Sequence, residues 1–223
     1  MTRSRPASRR KSAPPLEKTE RQTQLLKCAI GVFARRGIGA ARHAEIARES
    51  RVAVPTVFFY FPTREALVNA VLAEVAQFFT KMAETIHRQH RPAPEIILEH
   101  LRAFADAVQT HPDHTRVLLE WSTALRDEVW PLYLEFQEKV IAIIMRTIKR
   151  WRMDTASLRD PDAEDDARMI AATGYVLVQL KLANSSAARI EKFINTLVRD
   201  TLGEARGSAS NEAHLSEFNL AVG

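Results

Sequence analysis

Apolar residues recur along most of the chain at spacings of three and four, the repeat that turns one face of an α-helix towards a core. Leu25, Leu26, Ala29, Ile30 and Phe33 form the first such stripe, starting at about Thr19, and Gly37 and Gly39 end it. Gly37 is suited to a left-handed C-terminal cap. Two short helices are expected next, from His43 to about Ser50 and from Pro55 to Phe61, where Pro62 stops the second. Thr63 can cap a long helix with Glu65 in its first turn. Its stripe of Val68, Val71, Leu72, Val75, Phe79, Met82 and Ile86 runs to about His87, before Pro92 and Pro94. The pattern predicts further helices from about Pro94 to Thr110, Thr115 to Leu125, Asp127 to about Arg152, Asp162 to Ala183 and Ala187 to Leu202. Trp130 and Pro131 mark the start of the seventh. No segment alternates apolar and polar residues long enough to make a strand, and no repeat is present. The expected fold class is all-α.

Composition narrows this picture. With 46% hydrophobic residues over 223, the chain can build a core, and disorder of the whole chain is excluded. Its seven glycines are few for a turn-rich all-β protein. The single Cys28 excludes an intramolecular disulfide framework and a cysteine-based zinc site. The uncharged run Met169 to Leu180 is shorter than the roughly 20 residues that span a bilayer. The N-terminus is basic without an apolar segment, so no secretory signal is read. A cytoplasmic protein without a membrane partner is expected.

Charge divides the chain unevenly. Residues 1–67 hold 14 Lys and Arg against 5 Asp and Glu, whereas residues 68–223 hold 18 against 22. A basic first third is suited to a polyanion, although a solubilising tail gives the same asymmetry. Residues 1–17, rich in Arg, Ser and Pro, read as a disordered basic arm, and 204–223 as a flexible tail. Between them lie segment 18–64, which holds the two short helices, and segment 65–203, which holds the longer helices after them.

The stretch HAEIARESRVAVPTVFFYF at 43–61 has the hydrophobic skeleton of a helix-turn-helix. Ile46, Val52 and Val57 sit where two short helices must bury against each other, and Ala47 is small where they cross. In such a unit the second helix lies in the major groove. Taken alone, the same pattern fits any helical hairpin in a bundle. In context, FARRGIG at 33–39, IARES at 46–50, TVFFYF at 56–61 and PTREALV at 62–68 resemble, in order, the N-terminal domain of the TetR repressor family. EWSTALRDEVWP at 120–131, outside that domain, is similar to the LuxR/HapR/SmcR-type quorum-sensing branch, and the resemblance extends more weakly from about residue 20 to 202.

The resemblance implies a homodimer of all-helical subunits that binds double-stranded operator DNA as a transcriptional regulator. The last two long helices would form the dimer bundle, and two recognition helices would address half-sites roughly 34 Å apart. The stripe Ile190, Phe193, Ile194, Leu197 and Val198 suits either that bundle or ordinary core. Candidate DNA-binding residues are Ala53, Val54, Pro55, Thr56, Phe59 and Tyr60 on the recognition helix and its cap. His43 and Ala44 open the preceding helix, where backbone N–H groups can bind phosphate. Thr63 and Arg64 are further phosphate candidates. Arg9, Arg10 and Lys11 of the arm, with Arg3 and Arg5, can enter an adjacent minor groove. Three residues depart from the family pattern. Arg51 stands where many members have Gly, Ala53 where Ser usually caps the recognition helix, and Phe59 where the branch has Asn.

The resemblance also implies a cavity lined by Phe79, Leu118, Glu120, Trp121, Gln137, Ile141 and Gly174 for a small apolar effector. As ordinary packing, Phe79, Trp121 and Ile141 are core and Glu120 pairs with an arginine. Gly174 can leave room for a ligand or for a neighbouring helix. The alternative function is a generic TetR-type repressor released from its operator by such a ligand. The histidine pairs His87–His90 and His111–His114 have a metal-like spacing but no carboxylates to complete a site. With no nucleophile elbow and no phosphate-binding glycine loop, no enzyme and no cofactor are expected. Cys28 lies among apolar residues and reads as buried.

Overall fold

The computed structural model describes residues 17–125, 127–155 and 162–202. These form α1 (Lys18–Arg36), α2 (His43–Ser50), α3 (Val54–Tyr60), α4 (Arg64–His87), α5 (Ala93–Thr110), α6 (Pro112–Trp121), α7 (Trp130–Asp154), α8 (Ala163–Leu182) and α9 (Ala187–Leu202). No strand occurs among the described residues. The basic arm, Arg126 and the C-terminal tail lie outside them.

Local chemistry accounts for the helix starts. The side chain of Glu20 accepts the Glu17 N–H at 3.2 Å, closing the entry to α1. Pro112 and Pro131 occupy the first turns of α6 and α7, where a missing N–H costs nothing. The Asp162 carboxylate accepts the Glu164 N–H at 2.9 Å at the start of α8, whose first turn is acidic.

Both ends of α6 and the start of α7 differ from the sequence pattern. Helix α6 runs from Pro112 to Trp121 instead of Thr115 to Leu125, and α7 begins at Trp130 instead of Asp127. The cause is the Trp121 indole N–H, which donates to the Val129 carbonyl at 2.8 Å and folds the intervening loop back on itself. The Ser122 and Thr123 hydroxyls donate to the carbonyls of Leu119 and Glu120 and satisfy the end of α6. Gly37 also departs from expectation. Its φ of 84° is positive, but its ψ of 158° lies outside the left-handed helical region. A chain leaving α1 in that extended direction reaches the end of α6.

Two apolar clusters fill the molecule. One runs from Leu25, Phe33, Ile46 and Val57 through the first half of α4 to Val117 and Trp121, so the packing of α1–α3 continues past residue 64. The other joins α5, α7, α8 and α9 around Leu101, Ile144, Ile170 and Ile194. By length and composition α4 could cross a bilayer, with a mean hydropathy of 1.2 over its most apolar window. Its Leu67, Val71, Leu72, Val75 and Phe79 are instead core residues.

Candidate nucleic-acid interface

Helices α2 and α3 form a helix-turn-helix. Ile46, Ala47 and Val57 are buried at their crossing, and Val52 packs partly against them. The turn is made by Arg51, whose φ of 55° and ψ of 45° are left-handed helical. Arg51 therefore adopts the conformation that glycine takes without strain. The Val52 N–H donates to Ala47 O at 2.9 Å and closes the turn. Ala53 precedes α3 without a side-chain cap, and Pro55 stands in the first turn.

With Val57 turned inward, α3 exposes Val54, Phe58 and Phe59, the last at 67%. Thr56 and Tyr60 are half-buried. The Phe59 ring meets the Tyr60 ring edge-on at 5.1 Å, and the Lys18 ammonium lies 5.5 Å from its centroid. Phe58, which the sequence reading passed over, stacks on His43 at 4.2 Å. The burial of Val57 carries the signal for it, because its immediate successor on so short a helix must point elsewhere.

The other expected contacts are placed less simply. The His43 side chain is buried, and its Nε2 carries the proton donated to Phe61 O at 2.8 Å. This ring ties α2 to the end of α3. What His43 and Ala44 can still offer a phosphate is the first turn of α2, whose amides precede the helix's own ladder. Thr63 caps α4 by accepting the Ala66 N–H at 3.0 Å, which leaves its own O–H to donate. Arg64 donates through Nη2 to the carbonyls of Ile38 and Gly39 at 2.7 and 2.8 Å. It braces the α1–α2 loop from one side. Arg9, Arg10 and Lys11 lie outside the described residues.

Charge across this face is selective. Glu45 and Glu49 of α2 are paired with Arg36 and Arg35 of α1. Arg48 and Arg51 are exposed and pair with no carboxylate among the described residues. The surface around α3 is thus cationic at its edges and apolar in its centre.

Four of the seven expected cavity residues, Phe79, Leu118, Gln137 and Gly174, line one cavity of about 80 Å³ between α4, α5, α6, α7 and α8. Phe104, Met82, Tyr133 and Phe136 complete its apolar wall. A Cβ on Gly174 would lie 3.1 Å from the Phe104 ring, so the glycine lets α5 and α8 pack closely at the cavity wall. Glu120, Trp121 and Ile141 lie off this cavity. Trp121 packs its ring against Tyr133 and Phe136, and Ile141 joins the second apolar cluster. The Glu120 carboxylate pairs with no arginine among the described residues. It accepts the Ile38 N–H at 2.8 Å, 82 residues away, and so holds the α1–α2 loop opposite Arg64.

The histidines pair differently from their spacing. His87 Nε2 meets His100 Nδ1 at 2.9 Å, and His87 Nδ1 meets the Thr147 hydroxyl at 2.8 Å. His111 and His114 flank the Phe78 ring. No group of three or more metal-ligating side chains occurs among the described residues. Cys28 is only half-buried, with Sγ 3.8 Å from Ile46 O.

Residues 25–71 match the family model of bacterial regulatory proteins of the tetR family. Over 119 residues it is 42% identical to the HTH-type transcriptional regulator LuxR of Vibrio harveyi. That alignment covers 53% of this chain and 58% of LuxR, so the chain spans little more than half the length of this relative. Two solved structures share the fold. Salmonella enterica GusR superposes with a TM-score of 0.70 at 19% identity, covering 84% of this chain and 97% of GusR. Bacillus subtilis FadR in complex with stearoyl-CoA gives 0.67 at 18% identity, covering 82% and 99%. The tetR-family model and LuxR are both described as regulators. The helix-turn-helix of α2 and α3 falls wholly within the matched segment.

Proposed function

We propose that the protein is a homodimeric, sequence-specific transcriptional regulator of the LuxR type that binds double-stranded operator DNA in the cytoplasm. The observation that carries this reading is the α2–α3 unit, whose second helix stands exposed beside unpaired arginines within the tetR-family segment. α3 enters the major groove, and the first turns of α2 and α4 meet phosphates through backbone amides, Thr63 and Arg64. The arginines of the arm add minor-groove contacts next to each half-site.

Dimerisation through α8 and α9 is supported by their free faces. Met169, Tyr175, Val176 and Leu182 of α8 are exposed. On α9, Ile190, Ile194 and Val198 are spent on the protomer's own core, while Phe193 and Leu197 remain half-buried and available to a partner. The cavity lined by Phe79 and Leu118 is small. About 80 Å³ is far below the roughly 300–1,000 Å³ that a drug-sized ligand occupies, so a ligand-released repressor needs this space to open first.

The test is selection of bound duplexes from a random library, followed by titration of the winner at several salt concentrations. A near-palindromic consensus with half-sites one helical turn apart is expected, with A·T-rich flanks. Deleting residues 1–16 should flatten the salt dependence. Tight binding with no consensus would leave only a backbone binder, and no binding at low salt would overturn the proposal.

A further inference from the structure

We propose that α3 reads its operator chiefly through C5-methyl groups in the major groove, those of thymine or 5-methylcytosine, and not through hydrogen bonds to guanine or adenine. This rests on the DNA-binding reading above and names its specificity. Bidentate recognition of guanine needs Arg or Lys, and that of adenine needs Asn or Gln. The seven residues of α3, VPTVFFY, include none of these. Its polar side chains are Thr56 and Tyr60, both half-buried. What α3 presents outward is Val54, Phe58 and Phe59.

An aromatic ring pressed on a polar base edge strips water from that edge and returns no hydrogen bond, which is unfavourable. Pressed on a methyl group, it removes apolar surface from water on both partners. The rings are also held in place. Phe58 lies parallel to His43, which is itself bonded to Phe61 O, and Phe59 is braced by Tyr60 and Lys18. Exposed Arg48 and Arg51 lie at the end of α2 and in the turn before α3, and the Lys18 ammonium sits over Phe59. An apolar centre with cationic edges complements a methyl-lined groove between phosphate strands better than it does an apolar protein surface.

The full-length protein and its library-selected duplex provide the test. Each thymine is replaced in turn by deoxyuridine, which removes only the methyl group. At one or two positions per half-site the affinity should fall about four-fold, the effect expected for burying one methyl. Cytosine at those positions should also weaken binding, and 5-methylcytosine should restore it. Selection from a library with methylated cytosine separates the two sources. Enrichment of thymine over 5-methylcytosine assigns thymine, and the reverse assigns the methylated base. Phe59→Asn, at an exposed position that leaves the core intact, should bind thymine and deoxyuridine duplexes alike. If a consensus emerges but deoxyuridine costs nothing at any position, the methyl readout is wrong and the DNA-binding reading stands. If no duplex is selected, both fall, and the apolar face of α3 is a protein-docking surface.

Discussion

Gly37 shows how much one backbone position can carry. At φ 84° and ψ 158° it occupies a region that side-chain-bearing residues avoid, and a Cβ there would lie 2.8 Å from Glu120 Oε1. Gly37→Ala is therefore expected to cost roughly 1–3 kcal/mol, from backbone strain and a displaced Glu120. Urea unfolding of the two proteins measures this, and an unchanged midpoint would refute the account. Arg51 is the opposite case. It holds a left-handed conformation in the helix-turn-helix turn without being glycine, so the sequence departure there leaves the turn closed.

Among the elements, α7 and α8 are joined at one end by a buried ion pair. Arg152 and Asp166 contact each other with only 12% and 5% of their side chains exposed. Neither charge could be left alone at such burial. Asp166→Ala removes the carboxylate that Arg152 pairs with across α7 and α8 and is expected to destabilise the protein by about 1–3 kcal/mol. Chemical denaturation would show a large fall in midpoint. A change under about 1 kcal/mol would mean that Arg152 finds solvent or another partner. Helix α6 is the other connecting element. Leu118 faces the cavity while Glu120, two residues on, grips the α1–α2 loop, so opposite faces of one helix serve two parts of the fold.

The whole molecule should register acid through its buried histidines. Burial lowers His87 to about 3, helped by the charges of His100, Arg150 and Arg146, and burial lowers His100 to about 4. Unfolded histidine takes up a proton near pH 6.5. Between that value and about pH 4 the unfolded chain binds protons that the folded chain refuses, so stability falls as the pH drops. Each histidine contributes a slope approaching 1.4 kcal/mol per pH unit, that is, about twice that for the pair. Unfolding midpoints at pH 7 and pH 4.5 should separate strongly, and a His87→Gln/His100→Gln variant should narrow the gap. Identical acid limbs for the two proteins would exclude the pair as the cause.

From the sequence by itself came the all-α class, the order of the helices and the helix-turn-helix, because a 3.6-residue repeat, prolines and capping residues are local signals. The basic first third and the motif order also pointed to the DNA-facing helix. Tertiary structure alone decided which side chains remain available. His43 turned inward to a carbonyl, exposed Arg64 committed its Nη2 to two carbonyls, Phe58 turned outward, and Glu120 chose a backbone N–H 82 residues away. It also decided that His87 meets His100 and not His90, and that Phe104 fills the space over Gly174. These outcomes depend on what packs opposite each residue. Hydrogen bonds and burial between distant segments leave no periodic trace in the chain, so spacing cannot report them.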